Sequence, residues 1–286
     1  MKDRARSFPR LVCLLVLTLT LTFSFAYFAP GNSLRAVAAQ STSLNGSFGF
    51  LTTESFFMRP NNNGTAVLGV MNFDGAGNVT GPYTYEVDAN RLQAAKTTTG
   101  TFTGTYSSKP DGSGSVTVAF DAGITFTYAM VIADGGQSLQ LVMTNCLFGS
   151  NGCNFFSTVN SGIARVAKAA SLNGSYGFQF TSTPAPTGNI GAMRFDGAGN
   201  VAMLFTSVGA GKDDTTGQAP VSSGTLTGTY SINPDGSGTI NFPAAPGQSA
   251  NSTYAFVITD GGSGLLLLRT DATPGANVSF GTARLQ

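Results

Sequence analysis

The 286-residue chain has no histidine, no tryptophan, three cysteines and only 10% charged residues. Without histidine, Ser-His-Asp and Cys-His catalysis and histidine-bound zinc are excluded. A net charge of +1 on so few charges leaves no basic patch for phosphates, which excludes nucleic acid as a partner.

The first 39 residues read as a signal peptide. Lys2, Arg4, Arg6 and Arg10 precede an apolar run from Leu11 to Phe28, and Ala36-Val37-Ala38 supplies the small residues of a cleavage site near Ala38. An uncleaved anchor is the competing reading, because the run is just long enough to span a bilayer. Cleavage predicts a secreted or periplasmic protein that is not membrane-embedded. It removes five of fifteen bases and one of fourteen acids, leaving ten against thirteen and a net charge of −3.

The rest of the chain is written twice. SLNGSFGF (Ser43 to Phe50) returns as SLNGSYGF (Ser171 to Phe178), and MNFDGAGNV (Met71 to Val79) as MRFDGAGNV (Met193 to Val201). GTFTGTYSSKPDGSGSV (Gly100 to Val116) returns as GTLTGTYSINPDGSGTI (Gly224 to Ile240), and TYAMVIADGG (Thr127 to Gly136) as TYAFVITDGG (Thr253 to Gly262). Order is kept, so a whole domain is duplicated, with repeat 1 over 41–168 and repeat 2 over 169–286. Each repeat is long enough to bury its own core.

Apolar residues alternate with polar ones within each repeat. Phe102, Gly104 and Tyr106 share a face, as do Phe126, Tyr128, Met130 and Ile132, and Leu226, Gly228, Tyr230 and Tyr254, Phe256, Ile258 repeat the pattern. Period two with Thr, Val, Phe and Tyr means half-buried strands. DGAGN, PDGSG and DGG clusters break them at hairpin turns. In repeat 2 strands start near Leu172, Asn189, Asn200, Gly224, Gly238, Thr253, Gly264 and Val278. The fold class is all-β: two tandem eight-stranded antiparallel up-and-down barrels, which leave no open edge. Two β-sandwiches are the alternative and need longer crossing connections.

Cys146 and Cys153 flank a short Gly-containing loop in repeat 1. In an oxidising compartment they predict a local disulfide that contributes about 2–3 kcal/mol. Repeat 2 has no cysteine, so this staple is an accessory to the fold.

Chemistry-bearing residues are scarce. Asp74, Asp111, Asp134, Asp196, Asp235 and Asp260 recur because the turns recur, and one carboxylate per turn is too few for a calcium loop. Glu54, Glu86 and Asp88 have no acidic counterpart in repeat 2. No catalytic residue, metal ligand or cofactor is implied. Tyr106, Tyr128, Tyr230 and Tyr254 are the remaining polar groups on apolar faces, matched pairwise across the repeats. They offer phenolic hydroxyls to a small ligand in a hollow lumen, or they belong to a filled core and bond the backbone. Gly46, Gly104, Gly174 and Gly228 on the same faces either leave room for a ligand or relieve strand curvature.

TGTYSINPDGSGTINF (Thr227 to Phe242) and LNGSYGF (Leu172 to Phe178) resemble strands of the avidin and lipocalin (calycin-type) barrels. In that family an arginine from the last strand covers the aromatic of the first. The resemblance implies that Arg165, in GIARV, lies over Phe48 and Arg284, in GTARL, over Tyr176, each closing a barrel end by a cation–π contact. The family's tryptophans are missing here, so biotin binding is not implied. The whole chain also resembles duplicated, signal-bearing, Gly/Thr-rich secreted proteins of soil bacteria.

The expected function is non-catalytic: a secreted binding or surface-interaction protein, with a small hydrophobic ligand or an extracellular polymer as partner. A structural surface or matrix protein with filled barrels is the rival. A barrel-type isomerase using Tyr and Asp is a third, weaker reading.

Overall fold

A computed structural model of the chain describes residues 44–56, 64–87, 96–148, 151–152, 158–168, 170–183, 187–209, 219–244, 251–271 and 278–286. The expected signal peptide and Cys153 lie outside these residues.

Repeat 1 forms strands Asn45–Phe56 (β1), Gly64–Asp74 (β2), Asn78–Val87 (β3), Lys96–Ser108 (β4), Ser113–Phe120 (β5), Ile124–Ala133 (β6), Ser138–Phe148 (β7), Asn151–Gly152 (β8) and Thr158–Val166 (β9). Neighbours from β1 to β7 pair antiparallel in chain order, β7 also pairs with β9, and β9 returns to β1. The result is a closed eight-stranded barrel, with the two-residue β8 added to the edge of β7. Repeat 2 forms Asn173–Thr183 (β10), Gly188–Asp196 (β11), Asn200–Val208 (β12), Val221–Ile232 (β13), Ser237–Phe242 (β14), Ser252–Thr259 (β15), Gly264–Arg269 (β16) and Val278–Leu285 (β17). These close in chain order, with β10 pairing to β17. The barrel, not the sandwich, is the architecture of both repeats.

The turns follow from their sequence. Asp74 Oδ1 accepts the backbone N–H groups of Ala76 and Asn78, and Asp196 Oδ1 accepts those of Ala198 and Asn200. Each carboxylate is thereby held below the ordinary aspartate range, chiefly by the amide of Asn78 or Asn200. The Asp-Gly-Gly turns place Asp134 and Asp260 at φ 52° and 54°. This is the left-handed region that short polar side chains tolerate.

Alternation puts aromatic rings inside each barrel. Phe50, Phe102, Phe120 and Phe126 form an edge-to-face or tilted chain in the first, with centroids 5.4–5.9 Å apart. Phe178, Phe180, Tyr254 and Phe242 do the same in the second. Each such pair adds about 0.5–1.5 kcal/mol beyond area burial. Gly104 and Gly228 serve curvature: a Cβ on Gly104 would strike the Thr117 carbonyl, and one on Gly228 that of Asn241. Without side chains at these points the neighbouring strand coils closer.

Four strands break the alternation by burying both faces: β1 over 48–52, β2, β15 and β16. Their outer residues form a third apolar cluster, separate from the two interiors, in which Leu51, Leu68 and Val70 of the first barrel pack with Val257, Leu266 and Leu268 of the second. The barrels therefore dock wall to wall. The join supports this contact, because Ala167 N–H donates to Ser47 O at 2.7 Å while Ala167 bridges to Thr259.

Candidate functional site

The four tyrosines are split two and two between the barrels. Tyr106, on the inner face of β4, donates its hydroxyl to the Leu44 carbonyl at 2.6 Å, and its ring meets Phe73 edge-on at 5.0 Å. Phe73 in turn contacts Phe48 at 5.5 Å. The second barrel repeats the plug: Tyr230 donates to Leu172 O at 2.9 Å and packs on Phe195, which packs on Tyr176. Tyr176 adds a hydroxyl to the Gly262 carbonyl at 2.6 Å. Tyr128 is fully buried against Phe126. Tyr254 lies on the inner wall of β15 between Phe180 and Phe242, and burial raises its pKa above the ordinary phenol value. One interior hydroxyl, Thr52 Oγ1, is fully buried with no hydrogen-bond partner among the described residues.

Arg165 and Arg284 lie on outer faces. Strand alternation dictates this, since Ala164 and Ala283 hold the inner positions beside them. Both guanidiniums meet one carboxylate: Arg284 Nη1 donates to Asp260 Oδ2 at 2.5 Å, and Arg165 Nη1 approaches the same oxygen at 3.6 Å. Asp260 thus joins an arginine from each barrel. Phe48 and Tyr176 have aromatic neighbours at these barrel ends, as described above.

The docked walls leave a cleft of about 430 Å³ between the barrels. Its floor is Leu68, Ala255 and Val257, and hydroxyls line both sides: Thr84, Thr99 and Thr101 from β3 and β4, and Ser237 and Thr239 from β14. Glu86 and Thr97 follow Thr84 and Thr99 on the same outer faces, paired across β3 and β4. The Glu86 side chain is buried, and Thr97 Oγ1 lies between its carboxylate and the Thr270 carbonyl of the second barrel, 2.9 Å from the latter. Arg269 is held by a two-point bond to Asp271, at 2.7 and 2.6 Å. That bond raises the pKa of its guanidinium further above its ordinary value, and Glu86 adds to the effect.

Sequence reasoning did not single out this cluster, although Glu86 was noted as unmatched. The signal was available: Glu86, Arg269 and Asp271 stand where the other repeat has Val208, Met143 and Asn145. These three charged residues break the repeat symmetry, and Glu86 of the first barrel acts on Arg269 of the second. Cys146 is buried in the first interior, and its expected partner Cys153 lies outside the described residues.

No family model and no curated protein matches the chain. Among solved structures it is similar to the crystal structure of CghA with Sch210972, at 8% identity and a TM-score of 0.28, over 84% of this chain and 88% of that chain. It is similar also to the crystal structure of CghA, at 9% identity and a TM-score of 0.25, over the same shares. Likenesses this distant carry no argument about function.

Proposed function

We propose that this is an exported, non-catalytic binding protein that holds a neutral, hydroxyl-rich extracellular polymer along the cleft between its barrels. The observation that carries this reading is the cleft itself, open to solvent, apolar on its floor and lined by threonine and serine hydroxyls from both barrels. Interior tyrosine hydroxyls support it from the other side, since Tyr106 and Tyr230 already donate to backbone carbonyls. Sparse charge suits a neutral partner. Export through residues 1–39 and pairing of Cys146 with Cys153 belong to the same proposal.

Co-sedimentation with insoluble neutral polysaccharides, cellulose and chitin among them, tests it. Wild type is retained, and a Thr99→Arg, Thr239→Arg double variant that fills the cleft loses retention at an unchanged melting temperature. Equal retention of the two proteins would defeat the cleft.

A second reading rests on the buried Thr52 hydroxyl. Here a small hydrophobic ligand with one polar group enters a barrel and contacts Tyr106 or Tyr128, with Tyr230 or Tyr254 in the other. Binding of an apolar fluorescent probe that Thr52→Val or Tyr230→Ala abolishes would move the site from the cleft to a lumen.

A further inference from the structure

The contact between the barrels joins two different walls. The first barrel offers the outer face of β1 and β2, where Leu51, Leu68 and Val70 lie; the second offers that of β15 and β16, with Val257, Leu266 and Leu268. Because the repeats share one fold, each wall exists twice, and one copy of each is left over. The unused β1/β2-type wall is on the second barrel, where Ile190 holds the place of Leu68 and Gly177 that of Gly49. The unused β15/β16-type wall is on the first, where Val131 and Val142 hold the places of Val257 and Leu268.

These leftover positions are apolar and bare. Ile190 is 60% exposed, Leu204 beside it 61%, Val131 51% and Val142 49%. Few other large hydrophobic side chains among the described residues are as exposed. Shape agrees as well. Inside the molecule Val257 fits over Gly49 so closely that a Cβ there would lie 2.5 Å from Val257 Cγ1. At the equivalent place on the second barrel a groove of about 480 Å³ runs over Gly177, Gln179, Ile190 and Leu204 to Arg284. The exposed Gln286 side chain reaches over Gly177 and must swing aside. Charge agrees too. Arg165 faces Asp260 within the molecule. Their counterparts, Arg284 and Asp134, are respectively half-exposed and exposed, one on each unused wall.

We propose that chains associate head to tail, the groove of the second barrel receiving Val131 and Val142 from the first barrel of another copy. The contact repeats, between molecules, the one that already joins the two barrels. Such an interface joins unlike surfaces, so it propagates into a filament unless its rotation closes a ring. It is weaker than the internal contact, because Gln140 replaces Leu266 and Gln179 replaces Leu51. Polar side chains at those points make the association reversible.

Sedimentation of the chain without residues 1–39, from about 1 μM to about 1 mM, where weak reversible contacts populate, reads the assembly. The expected result is a mass that climbs past dimer with concentration. Ile190→Asp spoils one wall and Val142→Asp the other, and each variant alone stays monomeric. Their equimolar mixture forms a species of twice the monomer mass and stops there, since one intact wall of each kind remains. Leu204→Asp and Val131→Asp form a second pair should either first variant melt early. Wild type that stays monomeric throughout overturns the proposal. So does a single variant that still assembles, or a mixture that does not pair.

Discussion

Ser138 and Gly264 occupy the same place in the two repeats, two residues beyond the Asp-Gly-Gly turn, and they decide where the turn's carboxylate is spent. In the first barrel Ser138 Oγ donates to Asp134 Oδ2 at 2.5 Å. In the second, glycine offers no hydroxyl; Thr259 Oγ1 donates weakly to Asp260 Oδ2 at 3.4 Å, Arg284 takes the same oxygen, and Arg165 reaches it from the other barrel. A Cβ at position 264 would fall 2.6 Å from Thr259 Oγ1, 2.8 Å from Asp260 Oδ2 and 3.1 Å from Arg284 Nη1. One missing side chain thus turns a local cap into a link between barrels.

Gly264→Ser is therefore expected to displace the guanidinium and recreate the first barrel's cap. Arg284→Ala removes the pair outright. Arg284 is half-exposed, so each change should cost no more than about 1 kcal/mol in urea unfolding. Asp260→Asn loses both arginines and should cost more than either. A cost for Arg284→Ala well above that of Asp260→Asn would mean that the arginine acts through an aromatic ring, as the calycin resemblance has it.

Tyr106→Phe and Tyr230→Phe each remove one hydrogen bond to a carbonyl at the end of a barrel while keeping the ring stack. Each should destabilise by about 0.5–1.5 kcal/mol, the usual net worth of such a bond. Chemical denaturation of the two variants and wild type checks this. Unchanged midpoints for both would show that the plugs are held by packing alone.

Alkaline pH should loosen the first barrel through Tyr83. Burial, and then the bond of its hydroxyl to Asp121 Oδ1 at 2.8 Å, push its pKa up from 10.0 to about 12. A raised phenol favours the folded state while it stays protonated. This contribution is whole below about pH 10, the unfolded value, and is lost as pH climbs through about 12. Its counterpart in repeat 2 is Phe205, so the effect belongs to one barrel. Melting temperatures of wild type and Tyr83→Phe followed across this range should differ in slope, and parallel curves would remove Tyr83 from the account.

Much of this architecture is legible in the residues. Strand alternation, Asp-Gly turns and a second copy of every motif point to two closed barrels, and the strand starts read from repeat 2 fall within three residues of β10 to β17. Local chemistry suffices there, because side-chain direction alternates along a strand and turn conformations need particular residues. The docking surface left only a faint mark, the unbroken apolar run Leu265 to Leu268 set against Leu139 to Val142, where Gln140 interrupts. An outward leucine looks the same in a sequence whether solvent or another wall faces it. Only the folded chain, which brings Leu68 to Val257 and Glu86 toward Arg269, decides which outer residues are covered, because those partners lie more than 180 residues apart. The same holds for Arg284: spacing puts it beside an inward alanine, but its partner Asp260 is chosen by the space that Gly264 leaves.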